Sequence, residues 1–451
     1  MRALRRSLIL GLAVAGFLWL AAPAFAGFAP GDVIWHDEVF HTGVDGYDAG
    51  VVIKLDGSGN AIIAAEGATS ATTQELRMWS YKPTGLWNWE GHWNGPGSTF
   101  EDVGDMALDG ASNAYTVGAT SPAAAMDIYV TKYLNNGTYM GDYFYSGTGG
   151  NDDARAVCAN AAGDVWVTGM SQAADGDQDV VTIKLDSTLA QQWVKRYNSP
   201  YDRFDAGYAI TLRGNALFVA GTSNRLGHGY DLILIKYDAT TGKCLWVKRY
   251  DDPLHRNEAV LDVVATSTSV YVCGAGKDAA GKPGDAMIVR FSSGGALKWV
   301  KYLSGGGGQR ETFLDMQRSP NGNIVVCGIV SRKASGQDMA AAAYRTDGTL
   351  RWGRFMTSAG KRADAANALD IDGGGKVYVT GETEAATGYR DLRTNCYSPA
   401  GATMWTTPFI GASGGDDWAQ DIAVYTDAVW VTGGSFVTGH ASDQLTIKYE
   451  K

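Results

Sequence analysis

The segment Val165-Trp166-Val167-Thr168-Gly169 is the clearest copy of a motif that recurs along this chain. Further copies lie at residues 217–221, 270–274, 377–381 and 429–433. A second motif follows it, in which an acidic residue precedes an aromatic residue or leucine by six positions. The eight acids of this motif are Glu75, Asp127, Asp179, Asp231, Asp285, Asp338, Asp391 and Asp443. Eight copies at one spacing indicate a repeat architecture.

Each copy also opens with an acidic residue, and in Asp48, Glu311 and Asp364 this residue aligns one position away from the others when the following glycine is the guide. Runs of β-branched and aromatic residues between Gly, Asn and Asp turns predict four strands per copy. Four strands in a repeat of this length are typical of a propeller blade. The sequence therefore predicts an all-β, eight-bladed β-propeller with four-stranded antiparallel blades, which start near residues 48, 102, 153, 205, 258, 311, 364 and 417.

The two ends of the chain predict how the ring closes. The last copy ends at Lys451 after its third strand and lacks the tryptophan-containing fourth strand. Trp35 stands thirteen residues before Asp48, and the interval between tryptophan and acid in the other copies is 12 or 13 residues. We therefore expect a strand within residues 31–40 to complete the eighth blade, so that residues 27–451 form one domain without an open sheet edge. The second copy alone has no tryptophan in its fourth strand and carries Met140-Gly141 instead.

Residues 1–26 have the pattern of a signal peptide. Arg2, Arg5 and Arg6 precede an apolar run over residues 8–20, and Ala24-Phe25-Ala26 supplies small residues for cleavage. The sequence thus predicts an exported protein, either periplasmic, on the cell surface or secreted, with no membrane insertion after cleavage. Removal of the three arginines changes the net charge from −10 to −13. An acidic chain lacks the cationic surface that nucleic acids and anionic membranes require.

The repeat pattern Asp-x-Ala, Val-Tyr-Val-Thr-Gly, Asp-x-x-Thr-Ile-Lys-Tyr and Trp resembles that of the bacterial SBBP-type β-propeller repeat proteins over essentially the whole mature chain. The resemblance implies the propeller fold and an exported bacterial protein. The family name implies seven blades, whereas this chain has eight copies. Members of the group are mostly exported proteins of undefined biochemistry, so the resemblance implies no particular activity.

Both acid series are expected on one face of the disc, because the first strand starts there, the second ends there and the third starts there. The candidate ligand face comprises Asp48, Asp102, Asp153, Asp205, Glu258, Glu311, Asp364, Asp417 and Trp418. Converging carboxylates suit cations such as calcium. An Asp at a strand start also caps turns by accepting backbone N–H bonds. Because the acids occur in every blade, we favour the capping role.

Other candidate ligands for a metal ion are few. Asp175, Asp177 and Asp179 have the spacing that begins a calcium loop, but the glycine and the distal glutamate of that loop are missing. They remain weak candidates for calcium. The histidines have no metal-ligand spacing; they are His36, His41, His92, His228, His255 and His440. The five scattered cysteines form no Cys-x-x-Cys pair and are interpreted as structural thiols.

No constellation of residues predicts catalysis or a cofactor. Loop lengths hardly vary between copies, whereas an enzyme on a propeller usually carries its unique residues on expanded loops. The sequence favours a non-enzymatic binding or scaffold module for an unknown protein or glycan. The alternatives are an extracellular polysaccharide lyase or glycoside hydrolase, with carboxylates at the channel mouth, and a calcium-stabilised structural protein of the cell surface.

Overall fold

The computed structural model describes residues 29–39, 48–70, 73–97, 100–121, 125–201, 203–278, 284–358, 364–385, 388–411, 414–436 and 442–451. These residues form eight four-stranded antiparallel sheets, and the first strand of the first sheet contacts the first strand of the last, so the sheets close into a ring. The predicted eight-bladed β-propeller is confirmed. The predicted signal peptide, residues 1–26, lies outside the described residues. Within the described ranges, no helix has the length and apolar character needed to cross a membrane.

The first four blades follow one another along the chain, each with its first strand innermost. Blade 1 consists of β2 (Ala49–Leu55), β3 (Ala61–Ser70), β4 (Thr73–Tyr81) and β5 (Trp87–Trp93). Blade 2 consists of β6 (Glu101–Leu108), β7 (Ala114–Thr120), β8 (Asp127–Tyr133) and β9 (Tyr139–Tyr145). Blade 3 consists of β10 (Asp152–Ala159), β11 (Val165–Gln172), β12 (Gln178–Leu185) and β13 (Gln191–Tyr197). Blade 4 consists of β14 (Asp205–Arg213), β15 (Ala216–Arg225), β16 (Gly229–Asp238) and β17 (Cys244–Tyr250).

The remaining blades repeat this order until the last, which takes its outer strand from the start of the chain. Blade 5 consists of β18 (Asn257–Ala265), β19 (Ser269–Asp278), β20 (Asp285–Ser292) and β21 (Leu297–Leu303). Blade 6 consists of β22 (Thr312–Arg318), β23 (Ile324–Arg332), β24 (Gly336–Tyr344) and β25 (Leu350–Met356). Blade 7 consists of β26 (Ala365–Ile371), β27 (Val377–Glu384), β28 (Arg390–Tyr397) and β29 (Thr403–Phe409). Blade 8 consists of β30 (Asp417–Val424), β31 (Ala428–Ser435), β32 (Asp443–Glu450) and β1 (Val33–Val39).

Strand β1 joins the start of the chain to its end, as the sequence predicts. It pairs antiparallel with β32, from Val33 opposite Tyr449 to Val39 opposite Gln444. The indole ring of Trp35 lies 4.8 Å from the ring of Tyr81 in blade 1 and 5.8 Å from that of Trp430 in blade 8. Strand β1 therefore completes blade 8 and also packs against blade 1.

The hydrophobic core lies in the seams between blades, because both faces of each sheet are covered by neighbours. In β11, Val165 packs with Val117 of blade 2, whereas the adjacent Trp166 packs with Leu217 of blade 4. Alternate residues of a strand point to opposite faces. This explains why the motif that defines the repeat is apolar at successive positions instead of alternating with polar residues.

A belt of tryptophans on the outer strands also joins consecutive blades. Each ring lies on a turn glycine of the next blade that has φ between +68° and +90°. The pairs are Trp35–Gly85, Trp89–Gly137, Trp193–Gly242, Trp246–Gly295, Trp299–Gly348, Trp352–Gly401 and Trp405–Gly31. A Cβ atom at any of these glycines would lie within 3.2 Å of the indole, and a left-handed φ favours glycine independently. The belt therefore requires glycine at the turn for two reasons.

The seam between blades 2 and 3 departs from this rule in an informative way. Blade 2 has Met140-Gly141 where the tryptophan is expected, and the corresponding turn position of blade 3 is Leu189 with φ 66°. Leu189 is 8% exposed and belongs to the hydrophobic cluster against which Tyr143 packs. Where no indole needs the space, a leucine replaces the glycine, and its burial offsets the cost of about 1–2 kcal/mol for a left-handed L-residue.

Candidate functional site

The first strands of all eight blades line a central cavity of about 610 Å³. Their inner edges have no neighbouring strand, so N–H groups that point inward need other acceptors. Among the described residues, aspartates supply them at five of the eight seams. The Asp421 carboxylate, for example, accepts the N–H of Ile422 on its own strand and that of Ile53 in the next blade, each at 2.9 Å. The equivalent bonds between blades are Asp105–Val157 (3.0 Å), Asp262–Met316 (3.0 Å) and Asp315–Leu369 (2.7 Å). Asp370, two residues further along its strand, forms a similar bond with Val424 at 2.7 Å.

The channel aspartates also repel one another. Asp262 and Asp315 both accept the N–H of Met316, at 3.0 and 2.6 Å. Burial, followed by the neighbouring Asp315, raises the pKa of Asp262 well above its usual range, and burial raises the pKa of Asp315 to about 6. Lys54 offsets part of the negative charge, with its Nζ 3.4 Å from Asp421. These carboxylates link neighbouring blades by hydrogen bonds, a role that the sequence analysis did not predict.

One acid of each copy occupies the same position relative to the strand pairs. In blades 2 and 3 this acid is not the predicted Asp102 or Asp153. Val103 pairs with Gly118 and Ala154 with Gly169, as Gly207 pairs with Gly221 in blade 4. The repeated position is therefore held by Asp48, Glu101, Asp152, Asp205, Glu258, Glu311, Asp364 and Asp417. Asp102 and Asp153 stand one residue later, whereas Asp48, Glu311 and Asp364 are not displaced. Blades 2 and 3 each have two adjacent acids at this point, and only strand pairing distinguishes them.

The eight acids at the repeated position are at most 2% exposed. Several accept backbone N–H bonds from the loop before them and from the end of the second strand. Glu311 accepts from Gly305 at 2.9 Å and Ser331 at 3.1 Å, and Asp364 accepts from Ser358 at 2.9 Å and Glu384 at 2.8 Å. These acids lie inside the seams between blades and cap backbone N–H groups there. They are not exposed on a face of the disc.

The three other predicted residues of this face have separate environments. Asp153 forms an ion pair with Arg155. Asp102 lies beside Glu66, where burial and the Asp102 carboxyl raise the pKa of Glu66 to about 8. Trp418 is half-buried, and its ring covers Gly434 so closely that a Cβ there would collide with it.

The three predicted calcium ligands do not share one environment in the structure. Asp175 accepts the N–H of Asp177 at 3.1 Å within the turn between β11 and β12. Asp179 instead pairs with Arg196, whose Nη2 lies 3.0 Å from its Oδ2. In the described ranges, the groups of histidines and acids whose ligand atoms all lie within 4.8 Å of one another are found elsewhere. Calcium binding by Asp175, Asp177 and Asp179 remains a prediction.

The junction of blades 4 and 5 brings together two histidines that are 27 residues apart in the sequence and belong to neither repeat motif. His228 lies in the turn between β15 and β16, and Asp251 and His255 lie in the loop between β17 and β18. The two Nδ1 atoms are 2.7 Å apart, and they lie 2.9 and 2.8 Å from Oδ2 of Asp251. Nothing in the spacing of these residues signals the cluster, because it depends on contact between a hairpin turn and an inter-blade loop.

Local hydrogen bonds hold the loop that carries His255. The Asp252 side chain accepts the N–H groups of Leu254 and Arg256 at 2.9 and 3.1 Å, and His255 N–H donates to the Asp252 carbonyl at 2.8 Å. His255 adopts φ 54°, which is uncommon for a residue other than glycine. On the opposite turn, Gly229 has φ 76°, and any side chain there would collide with Asn257. A left-handed backbone conformation therefore occurs on both sides of the cluster, at Gly229 and at His255.

Acidic residues extend this cluster inward. Ligand atoms of Asp231, Asp251 and Glu258 also lie within 4.8 Å of one another. Both carboxylate oxygens of Glu258, and Oδ1 of Asp231 and of Asp251, are buried without a hydrogen-bond partner among the described residues. Burial and the neighbouring carboxylates raise the pKa of Glu258 to about 9. Glu258 thus lacks the pair of backbone bonds that Glu311 and Asp364 have at the same repeat position.

A cleft of about 500 Å³ adjoins the cluster at the same blade junction. Phe204 and Tyr230 meet edge to face there, with ring centroids 5.7 Å apart. Thr222, Asn257, Glu258 and Arg310 add polar groups, and Tyr208 and Leu261 line both the cleft and the central channel. The cleft has a volume typical of small-molecule sites, roughly 300–1,000 Å³.

The chain is an eight-bladed β-propeller, and in its described residues the histidine cluster and the aromatic cleft lie together at the junction of blades 4 and 5. No protein-family profile and no curated protein matches it. Europium-containing methanol dehydrogenase has a similar fold, with 10% identity, 93% of each chain covered and a TM-score of 0.53. The WD40 domain of SCAP from fission yeast matches 92% of this chain and 98% of its own, with 9% identity and a TM-score of 0.49. The β-propeller domain of the trilobed protease from Pyrococcus furiosus matches 78% and 96%, with 11% identity and a TM-score of 0.43. At such identities the likeness concerns the fold alone.

Proposed function

We propose that this chain is an exported bacterial propeller of the SBBP-type repeat group that binds a glycan, without cleaving it, in the cleft between blades 4 and 5. The observation that supports this proposal is the grouping of Phe204, Tyr208 and Tyr230 around a cavity of about 500 Å³. Aromatic rings offer flat apolar faces with polar edges. Arg310 and Asn257 supply hydrogen-bond donors for sugar hydroxyl groups at the same cleft.

The distribution of carboxylates favours binding over hydrolysis. Glu258 is the single carboxylate among the described residues that line the cleft. Glycoside hydrolases generally place two carboxyl groups on either side of the bond they cleave. The nearby Asp231 is fully buried and paired with Arg249, whose Nη1 lies 2.7 Å from its Oδ2. Asp231 is therefore not positioned to reach a sugar in the cleft.

The test is a glycan array with the mature protein, followed by titration of any retained glycan. Tyr230→Ala is expected to weaken binding about 3–10-fold, since an aromatic contact contributes about 0.5–1.5 kcal/mol. Tyr389→Ala is the matched control, because Tyr389 is a similarly exposed tyrosine just before the third strand of blade 7. Equal affinity of the two variants, or no retained glycan, would refute the proposal. Release of reducing or unsaturated sugar ends would assign the cleft to an enzyme instead.

A further inference from the structure

We propose that His228, Asp251 and His255 form a binding site for a divalent transition metal ion of the zinc class. Among the described residues the two-histidine cluster is found at the junction of blades 4 and 5, in contrast to the acids that recur in every blade. None of its three residues lines the aromatic cleft. The inference therefore goes beyond glycan binding and does not depend on it.

The three ligand atoms cannot satisfy one another by hydrogen bonding. A neutral imidazole carries one N–H, and an ionised carboxylate only accepts. If both Nδ1 atoms donate to Asp251, the contact of 2.7 Å between them places two donors face to face. If one histidine donates to the other instead, the accepting histidine presents a lone pair to Asp251, at 2.8 Å for His255 or 2.9 Å for His228. A cation resolves this conflict, because all three atoms then offer it a lone pair.

The triangle of atoms is close in size to one face of an octahedral ion, and a tetrahedral ion would require the three atoms to move roughly 0.5 Å further apart. Its sides measure 2.7, 2.8 and 2.9 Å. An ion at the distance of roughly 2.1 Å that nitrogen and carboxylate ligands adopt would lie about 1.3 Å out of the plane of the triangle. The three atoms would then occupy one face of the coordination sphere and leave other positions open.

A second observation points to a cation at the same place. Asp251 belongs to both groups of converging ligands, and its other oxygen, Oδ1, is buried and unpartnered. Glu258 is 1% exposed, and neither of its oxygens makes a well-formed hydrogen bond among the described residues, although the Asp252 backbone faces it and lowers its pKa. Buried polar atoms without partners are rare and call for a ligand that satisfies them. Glu258 and Asp231 can thus complete or support the coordination of an ion held by Asp251.

Arg225 is the cation that now occupies the cluster. Its Nη2 contacts Asp251 and lies 2.5 Å from Nδ1 of His228. The same side chain has two other partners, since its Nε lies 3.6 Å from Asp231 and its guanidinium stacks on Tyr201 at 5.5 Å. Arg225 can therefore withdraw toward these partners when a metal ion binds. Its charge opposes metal binding by like-charge repulsion.

The donor set selects the class of metal. Calcium and magnesium prefer oxygen ligands throughout. Two imidazoles with one carboxylate suit zinc and neighbouring first-row metals, which accept nitrogen readily. The site therefore differs in chemistry from the calcium loop that the Asp175 region suggests.

The experiment uses untagged mature protein stripped with a chelator and titrated with Zn²⁺ against a chromophoric competitor, with Co²⁺ absorption as a second readout of coordination. We expect one equivalent of metal to bind. His228→Ala and His255→Ala should each weaken binding at least 10-fold, and Arg225→Gln should strengthen it. Both histidines are partly exposed, with 30% and 48% of their side-chain surfaces accessible, so these variants should fold. Thermal melts of each variant check this.

His92→Ala provides the matched control. His92 is an exposed histidine beside an arginine and a glutamate in blade 1, with its Nδ1 3.4 Å from Arg77 and 3.9 Å from Glu75. This variant should bind zinc as the wild type does. Absence of stoichiometric binding would overturn the proposal, as would binding that survives both histidine substitutions or falls equally in His92→Ala. Loss of zinc with Tyr230-dependent glycan binding intact would separate this site from the cleft.

Discussion

Asp421→Ala tests whether the channel aspartates hold the blades together. Asp421 lies at the seam between blades 8 and 1, where the ring closes. Its carboxylate accepts the N–H of Ile422 in blade 8 and the N–H of Ile53 in blade 1. The substitution removes both acceptors and leaves two inward-pointing N–H groups without a protein partner at the free edges of β30 and β2.

The expected loss follows from these contacts. Hydrogen bonds to a charged group contribute about 1.5–3 kcal/mol each, and water in the channel recovers part of that energy. The Lys54 side chain is 42% exposed, so its ion pair adds less than about 1 kcal/mol. We therefore expect Asp421→Ala to lower the free energy of unfolding by about 2–4 kcal/mol. Asp421→Asn keeps one carbonyl acceptor and should lose roughly half as much.

Urea unfolding followed by tryptophan fluorescence measures this difference, since Trp35 and Trp430 pack at the same seam. Asp427→Ala is the control, because Asp427 is exposed in the turn between β30 and β31. It should change the free energy of unfolding by less than about 0.5 kcal/mol. If Asp421→Ala also changes the free energy of unfolding by less than about 0.5 kcal/mol, water replaces the carboxylate fully and the aspartates do not hold the blades together.

Two further predictions concern ring closure and pH. Trp35→Ala should lower the free energy of unfolding by about 1–3 kcal/mol, because it removes two aromatic contacts of about 0.5–1.5 kcal/mol each. Removal of residues 27–40 should lower the melting temperature further, and unchanged thermal stability after that truncation would contradict closure by β1. Burial raises the pKa of Asp315 from 3.8 to about 6, so the folded protein holds this proton more tightly than the unfolded chain. The resulting stabilisation is complete below about pH 4 and is lost as the pH rises to about 6. Asp315→Asn should flatten the urea-derived stability curve between these values, and parallel curves for the two proteins would refute the assignment.

The repeat motifs predict the blades because local pattern and tertiary environment agree in this fold. Each second strand is covered on both faces by neighbouring blades, so Val165, Trp166 and Val167 are all buried, and an apolar run of this kind is visible in the sequence itself. The pairing of Trp35 with the last blade is also readable, since it stands 13 residues before Asp48 and the other tryptophans stand 12 or 13 residues before their acids. At the seam where Gly141 stands in the tryptophan position, Leu189 stands in the position of the turn glycine.

Which acid of each copy occupies the repeated position could be decided only from the pairing of the strands. Glu101 and Asp102 are chemically alike and adjacent, as are Asp152 and Asp153, so sequence alignment had no physical basis for choosing between them. The choice matters, because the first member of each pair is buried at the seam whereas Asp153 reaches Arg155. A shift of one residue along a strand moves a side chain to the opposite face.

The sequence by itself determined the number of blades, their strands and the joining of the chain ends, because these features depend on periodic patterns that repeat at fixed spacing. Only the tertiary structure decided where His228, Asp251 and His255 meet, and that the cleft beside them contains Phe204 and Tyr230. These contacts join a hairpin turn of one blade to the loop that leads into the next. Such loops carry no periodic signal, and the distance between their side chains depends on how the sheets pack around the ring.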